Sequence, residues 1–207
     1  MKSQELVLRL GLLFLAVTVA TATFPKVRIQ SFEMAKCPYC SQFKLQWNSQ
    51  VMQAPGVRDI MDMQEFFVGR YSGGEFECLH GPGECVGDLF LLCAHNLTVT
   101  HNPWGWWDLA VCMQRDYKNI PDNIPSCTNQ TRGMDYAQIN ACATGSLGVQ
   151  LFRESIAYGN AQGIYETPTT IINGKTYVGG PDHPLQTICD AYTGPRPLGC
   201  KQAVISI

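Results

Sequence analysis

Two cysteines with two residues between them, Cys37 and Cys40, offer thiol chemistry at a predicted strand-to-helix junction. The pair follows residues 27–32, whose alternating hydrophobicity is typical of a strand, and precedes apolar positions four residues apart, typical of a helix. A cysteine at a helix N-terminus lies beside unpaired N–H groups, which stabilise its thiolate. Cys37 is therefore predicted to attack a disulfide. Cys40, one turn further on, is predicted to resolve the mixed disulfide.

Two alternatives for this motif follow from the same residue types: half of a zinc site, and a structural disulfide. Zinc requires further ligands, yet the other cysteines show no Cys-x-x-Cys spacing. Redox chemistry is therefore favoured, and no metal is expected.

A Thr-Pro pair far downstream, Thr167 and Pro168, is the second candidate element of the site. It precedes residues 169–178, which predict a strand, an Asn-Gly turn and a second strand. Thioredoxin-like folds carry a cis proline in this context, where the preceding residue presents its backbone to a substrate that docks as an added strand. We therefore predict that Thr167 and Pro168 bind substrate. A trans proline on an edge strand is the alternative.

The cysteines outside the Cys-x-x-Cys motif are expected to be structural. Their number is even, so four disulfides account for all of them, although about a hundred connectivities are possible. Cys189 and Cys200 flank a Gly- and Pro-rich segment and form the expected local pair. The candidates are Cys78, Cys85, Cys93, Cys112, Cys127, Cys142, Cys189 and Cys200.

The composition indicates one globular domain, or one domain with an insertion. The chain has 207 residues, of which 45% are hydrophobic, enough for a sizeable core. The 15 basic and 17 acidic residues nearly cancel and give a formal charge of -2. This balance predicts no basic face, so we expect no nucleic-acid partner.

The N-terminal segment predicts entry into the secretory pathway. Lys2 and Arg9 precede an apolar run over residues 10–20. An A-x-A pattern follows the run and predicts a signal peptide over residues 1–22. An uncleaved anchor is the alternative, although the run is short for a spanning helix. No later stretch is apolar enough to span a membrane, so the mature chain is expected to have no membrane span.

Two sequons and the cysteine content fit the same route. Asn96 and Asn129 each begin an N-glycosylation sequon. A chain with ten cysteines and no metal-site spacing is typical of an oxidising compartment. We expect a glycoprotein that enters the secretory pathway and either stays in one of its compartments or is released from the cell.

The order of the predicted elements indicates an α/β fold interrupted by an insertion. Residues 23–75 and 145–207 carry the strand and helix patterns of the core, whereas residues 76–144 hold six irregularly spaced cysteines and many turn residues. The predicted fold class is a thioredoxin-like core with a disulfide-rich, mainly helical insertion. Helices are predicted in the insertion near residues 88–96, 106–116 and 134–142.

The insertion begins with a pattern that resembles the signature of a known family. Cys78, Cys85 and Cys93, with the residues between them, are similar to C-Q-H-G-x-x-E-C-x-x-N-x-x-x-x-C of the gamma-interferon-inducible lysosomal thiol reductase family. The three cysteines keep the spacing of that motif. The chain departs from it at two positions, where Leu79 replaces glutamine and Asp88 replaces asparagine.

This resemblance, which extends over nearly all of residues 27–200, implies a thioredoxin-like lysosomal enzyme that reduces protein disulfides at acidic pH. It maps the two active-site cysteines onto Cys37 and Cys40. The implied partners are unfolded or partly degraded disulfide-bonded proteins. No bound cofactor is expected, because a small thiol restores the dithiol. For His80 and Glu84, inside the motif, we expect a loop held by hydrogen bonds rather than catalysis.

Two other functions remain open from the sequence. An oxidase or isomerase of the secretory pathway uses the same motif, because the potentials of Cys-x-x-Cys proteins span about -270 to -120 mV on similar architecture. A disulfide-rich secreted binding protein without enzymatic activity is the alternative from another class. The reductase function is favoured because the family signature is far more specific than the Cys-x-x-Cys motif alone.

Overall fold

The computed structural model describes residues 23–203. The predicted signal peptide, residues 1–22, lies outside the described residues, as do residues 204–207. The strands are β1 (Val27–Glu33), β2 (Met61–Phe67), β3 (Arg70–Ser72), β4 (Glu75–Glu77), β5 (Thr169–Ile172) and β6 (Lys175–Val178). The helices are α1 (Pro38–Trp47), α2 (Pro82–Thr98), α3 (Gly105–Arg115), α4 (Ile124–Gln130), α5 (Tyr136–Ala143), α6 (Ser146–Ala161), α7 (Pro184–Ala191) and α8 (Leu198–Ala203).

Four strands form one mixed sheet in the order β2-β1-β5-β6. β1 pairs in parallel with β2 and antiparallel with β5, which forms a hairpin with β6. Asn173 and Gly174 form the predicted turn of that hairpin with φ values of 45° and 86°, the positive sign that a type I′ turn requires. Because β1 lies between β2 and β5, the loop that follows it leaves from the interior of the sheet.

The sequence patterns locate most of these elements. β1, α1, β5 and β6 match the predicted strands and the predicted helix after Cys37, and β2, α6 and α7 complete the two core segments. The three helices predicted in the insertion overlap α2, α3 and α5. The predicted α/β class with a mainly helical insertion is therefore confirmed.

The sequence patterns do not predict β3, β4, α4 or α8. Gly73 and Gly74 form the turn of a short hairpin between β3 and β4, with φ values of 61° and 92°. α4 has the sequence IPSCTNQ, which contains no apolar stripe at helical spacing. This short helix is tied to α3 by the disulfide Cys112–Cys127, so tertiary structure rather than local pattern fixes it.

Four disulfides take up all the cysteines expected to be structural. Two of them join helices of the insertion to each other, α2 to α5 and α3 to α4, and a third closes the short loop that leads into α2. The fourth joins α7 to α8, beyond the sheet. The pairs are Cys78–Cys85, Cys93–Cys142, Cys112–Cys127 and Cys189–Cys200.

The hydrophobic core continues from the sheet into the insertion. α2 packs against α3, α5 and α6, and α3 packs against α1. Trp106 and Trp107 on α3 are almost completely buried, with exposed fractions of 1% and 0%. The insertion therefore packs directly on the helix that follows Cys37. Within residues 23–203, no helix combines the length and apolar character needed to cross a membrane.

Candidate active site

Cys37 caps the N-terminus of α1. Its backbone is extended, with φ -72° and ψ 125°, and its Sγ accepts a hydrogen bond from the N–H of Cys40 at 3.4 Å. Pro38 lies in the first helical turn, where its missing N–H leaves no helical bond unmade. Both cysteines are free thiols, and their exposed fractions are 4% for Cys37 and 0% for Cys40. The structure thus places the dithiol where the sequence predicts it.

The Thr-Pro pair adjoins this helix terminus. The peptide bond between Thr167 and Pro168 is cis, and the Thr167 hydroxyl lies 3.8 Å from Sγ of Cys37, to which it donates a hydrogen bond. A cavity of about 260 Å³ opens between α1 and this loop. Its lining includes Tyr39, Gln42, Phe43, Glu166, Pro168 and Val178. Thr167 and Pro168 thus line this cavity, and Thr167 also contacts Cys37, which does not itself line it.

The surroundings of the two thiols shift their pKa values in opposite directions. A hydrogen bond from the Cys40 side chain, opposed by burial, lowers the pKa of Cys37 to about 6, with further help from the Thr167 hydroxyl. Burial raises the pKa of Cys40 far above its ordinary value, and the hydrogen bond to Cys37 and the charge of Glu33 raise it further. Cys37 is therefore the thiol that ionises first, while Cys40 retains its proton.

A buried ionic cluster, formed by Glu33, Lys44 and Glu65, lies beneath the dithiol. Nζ of Lys44 is 2.8 Å from Oε1 of Glu33 and also bonds Oε1 of Glu65. The second oxygen of each carboxylate is buried without a hydrogen-bond partner. Burial, opposed by Lys44 and reinforced by Glu65, raises the pKa of Glu33 to about 7. The two carboxylates outweigh burial at Lys44 and raise its pKa.

The sequence patterns do not predict this cluster. Lys44 lies one position after Phe43 and three before Trp47, two of the apolar positions that define the buried face of α1. A lysine next to such a face, and a glutamate at the end of a central strand, are the signals that could have revealed it. Long polar side chains near an apolar face more often reach solvent, however, so the pattern alone does not distinguish the two cases.

Two carboxyl groups of α2 hold the active-site loop, residues 34–37. Oδ1 of Asp88 accepts the N–H of Ala35 at 2.8 Å, and Oε2 of Glu84 accepts the N–H of Lys36 at 3.1 Å. Glu84 also accepts the N–H of His80 at 3.1 Å and contacts the His80 ring Nδ1 at 2.5 Å. Glu84 and Asp88 therefore bind the backbone just before Cys37.

α3 and the segment after it hold the same loop from another side. Nε2 of Gln114 donates to the carbonyl of Ala35 at 2.9 Å, and the carbonyl of Gln114 accepts the Ser41 hydroxyl at 2.8 Å. Nζ of Lys36 donates to the carbonyl of Ile120 at 2.7 Å, so this side chain is engaged away from Cys37. The insertion thus fixes the position of the dithiol.

The remaining predicted sites lie on the surface of the insertion. Asn96 on α2 and Asn129 on α4 are both exposed. Among residues 23–203 there is no group of three or more His, Cys, Asp or Glu side chains arranged to hold a metal ion.

A Cys-x-x-Cys motif at the first helix after a central strand, facing a cis proline, defines the thioredoxin-like class of folds, which confirms the class predicted from the sequence. Residues 28–131 match the family described as "Gamma interferon inducible lysosomal thiol reductase (GILT)". The chain belongs to this family.

Similar proteins support this assignment. A GILT-like protein of Caenorhabditis briggsae is 28% identical over 131 residues, which cover 62% of this chain and 58% of the nematode protein. The chain thus spans less than two thirds of that relative. GILT-like protein 1 of Drosophila melanogaster is 24% identical over 214 residues, covering 92% of this chain and 85% of the fly protein.

Solved structures of low sequence identity share the fold. BdbD from Bacillus subtilis superposes with a TM-score of 0.58 at 16% identity, covering 81% of this chain and 88% of that chain. DsbA from Chlamydia trachomatis superposes with a TM-score of 0.59 at 12% identity, covering 79% and 83%. These similarities establish the thioredoxin-like architecture with a helical insertion.

Proposed function

We propose that this chain is a thiol-disulfide oxidoreductase that reduces protein disulfides in an acidic, lysosomal compartment. The observation that carries the proposal is the opposite shift of two adjacent thiols, with the pKa of Cys37 lowered to about 6 and that of Cys40 raised. In such a pair, one thiol ionises and attacks, while the other stays protonated until the second step. Membership of the GILT family supports the same chemistry.

Reduction takes two exchange steps. First, the Cys37 thiolate attacks one sulfur of a substrate disulfide and forms a mixed disulfide, while the other substrate sulfur leaves and takes up a proton. Second, Cys40 loses its proton and attacks Sγ of Cys37, which releases the second substrate thiol. The dithiol supplies both electrons and ends as a Cys37–Cys40 disulfide. A small-molecule thiol reduces it again, and no bound cofactor takes part.

The buried ionic cluster can receive the proton that Cys40 loses. The charge of Glu33 already acts on Cys40, as the raised pKa of that thiol indicates. As the pH falls below about 7, Glu33 takes up one proton. Lys44 stays charged, because its pKa is raised. Glu33 can accept the Cys40 proton only in the fraction of molecules in which it is ionised, and that fraction decreases as the pH falls below about 7.

The lowered pKa of Cys37 suits acidic conditions. At a lysosomal pH of about 5, a pKa of about 6 leaves roughly 10% of Cys37 as thiolate, against roughly 0.03% for an unperturbed thiol. Intrinsic nucleophilicity falls by only about half as many log units as the pKa, so the lower pKa gives a net gain in rate at this pH.

The surface around Cys37 fits an unfolded or partly degraded protein substrate. The four most exposed large apolar side chains of residues 23–203 lie on segments that adjoin the site: one between the two cysteines, one on the Thr167 loop, one at the end of β6 and one beside His80. They are Tyr39, Tyr165, Val178 and Leu79, with exposed fractions of 69%, 72%, 63% and 77%. Apolar side chains that surround a reactive thiol favour chain segments whose own apolar residues are accessible.

The route to the compartment is part of the proposal. The predicted signal peptide, the exposed Asn96 and Asn129 and the four disulfides all agree with passage through the secretory pathway. We propose glycosylation at both asparagines and delivery to the lysosome or to the outside of the cell.

Insulin reduction by the purified protein at pH 5, with a small thiol as donor, tests the function. Wild type is expected to precipitate the insulin B chain, and Cys37→Ser is expected to lose this activity. Cys40→Ser is expected to accumulate a mixed disulfide through Cys37, visible on a non-reducing gel. Trapping through Cys40 in the Cys37→Ser variant would reverse the assigned roles.

The same assay separates the two rival functions. If oxidised protein forms disulfides in a reduced peptide faster than reduced protein breaks them, the chain is an oxidase or isomerase. If neither reaction depends on Cys37, the chain is a disulfide-rich binding protein.

A further inference from the structure

Asp88 has an unusual environment for an acidic residue. Its exposed fraction is 0%, and Oδ1 accepts the N–H of Ala35, two residues before Cys37. It makes no ion pair within residues 23–203. A buried carboxylate without a cation pays a large desolvation cost, which a neutral carboxylic acid avoids.

The acidic groups that face Asp88 add to this cost. Glu84 lies one turn earlier on the same helix, Glu33 ends β1, and Glu65 lies on β2. Burial first, and then these three negative charges, raise the pKa of Asp88 well above its ordinary value, while the Ala35 N–H opposes the shift.

The basic groups nearby are engaged elsewhere. Lys44 pairs with the two carboxylates of the buried ionic cluster, and Nζ of Lys36 donates to the carbonyl of Ile120. The His80 ring pairs with the carboxylate one turn before Asp88. None of them compensates a charge on Asp88.

The second carboxyl oxygen of Asp88 faces a group that cannot stabilise a negative charge. Oδ2 is 3.9 Å from Sγ of Cys78, which forms a disulfide with Cys85. A disulfide sulfur has no proton to donate and acts only as a weak acceptor. A neutral carboxylic acid accepts the Ala35 N–H through Oδ1 and presents an O–H to this sulfur through Oδ2, as an asparagine amide would present an N–H.

We propose that Asp88 is a positioning residue that holds the active-site loop as a neutral carboxylic acid, and that its ionisation at higher pH releases the loop and lowers the reactivity of Cys37. The proposal rests on the proposed reductase function only for its activity measurement. In acid, the neutral carboxylic acid of Asp88 replaces the asparagine of the family motif as a side chain that both accepts and donates. Above the pH at which it ionises, its charge has no partner and faces a disulfide sulfur and Glu84.

The test compares Asp88→Asn with wild type and with Asp88→Ala between pH 4.5 and 8. Asparagine keeps both hydrogen bonds and cannot ionise, whereas alanine removes them. Asp122→Asn, at an exposed acid of the insertion, is the matched control. The readouts are the rate of Cys37 alkylation by iodoacetamide, the thermal midpoint and insulin reduction. Ratios of variant to wild type at each pH cancel the intrinsic pH dependence of the thiol.

We expect the Asp88→Asn to wild-type ratio of alkylation rates to be near one at pH 5 and to rise at least fivefold by pH 7.5. The thermal midpoint of Asp88→Asn should fall less than that of wild type over the same range. Asp88→Ala should lose at least tenfold in alkylation rate at pH 5, and Asp122→Asn should follow wild type throughout. A ratio for Asp88→Asn that stays constant with pH overturns the proposal, and so does a loss at pH 5 equal to that of Asp88→Ala.

If Asp88→Ala does not fold, the Asp88→Asn ratio still decides, because that variant is nearly isosteric. If wild type fails to reduce insulin while the alkylation ratio behaves as expected, the reductase function is wrong and the role of Asp88 stands.

Discussion

Replacing Cys40 by alanine tests the electrostatic origin of Cys37 reactivity. The side chain of Cys40 makes the largest contribution to the lowered pKa of Cys37, which is about 6. A hydrogen bond to a charged group contributes about 1.5–3 kcal/mol, and one pKa unit corresponds to about 1.4 kcal/mol. Loss of the S–H donor should therefore raise the pKa of Cys37 by about 1–2 units, to about 7–8.

The expected change in rate has opposite signs at low and high pH. At pH 5, each unit of pKa increase reduces the thiolate about tenfold but raises its nucleophilicity about threefold, so Cys40→Ala should react about 3–10 times more slowly than wild type. At pH 9 both proteins are fully ionised, and Cys40→Ala should react about 3–10 times faster. The crossover distinguishes a pKa effect from a change in access, which would alter both rates in the same direction.

The assay is iodoacetamide alkylation of the reduced dithiol from pH 4.5 to 9.5, followed by mass spectrometry of the peptide that contains Cys37. Cys40→Ser is the matched control, because its hydroxyl keeps a donor at the same position and should leave the midpoint close to 6. A wild-type midpoint near 8.5, or a Cys40→Ala midpoint equal to that of wild type, would show that the Cys40 side chain does not lower the pKa of Cys37.

Three further predictions concern neighbouring groups. Thr167→Val should raise the pKa of Cys37 by less than Cys40→Ala does, because the hydroxyl lies 3.8 Å from the sulfur, and Thr167→Ser should restore it; the same alkylation titration measures both. The pKa of Glu33 is raised from 4.5 to about 7, so its contribution to stability is complete below about 4.5 and is lost as the pH rises to 7. In a Cys37→Ser background, the free energy of unfolding should therefore decline between pH 4.5 and 7.5, and Glu33→Gln should reduce that decline by up to about 3 kcal/mol. Urea unfolding at the two pH values measures it. Alkylation after mild reduction should label only Cys37 and Cys40, and peptide mapping that finds a labelled cysteine from the four disulfides would contradict the framework.

Local patterns predict the dithiol well because its function depends on local geometry. The position of Cys37 follows from the end of one strand and the start of one helix, both visible as hydrophobic periodicity. The place of Pro168 follows from the strand-turn-strand pattern behind it. The contacts that tune the site are long-range: Asp88 reaches Ala35 across 53 residues, and Thr167 reaches Cys37 across 130. No periodicity in a single sequence encodes such pairings.

The signature motif likewise does not encode the long-range contacts of its residues. Its spacing identifies the family, yet the spacing does not reveal that Glu84 and Asp88 end on consecutive N–H groups of the active-site loop. That arrangement depends on α2 lying beside the end of β1, a packing that the disulfides and the shared core impose. The motif therefore predicts a loop held by hydrogen bonds but does not identify the loop.

The buried acids and the reactive thiol favour the same range of pH for different reasons. Burial raises the pKa of both Glu33 and Asp88, so the folded state holds these two protons more tightly than the unfolded chain, and these two groups stabilise it most in acid. The lowered pKa of Cys37 lets a useful fraction of thiolate survive there. A thiol with an ordinary pKa on this scaffold would be stable but unreactive at pH 5. A scaffold with ordinary carboxyl groups would gain nothing from acid. The combination is what the proposed function in an acidic compartment requires, and it depends on α2 and the buried ionic cluster as much as on the Cys-x-x-Cys motif.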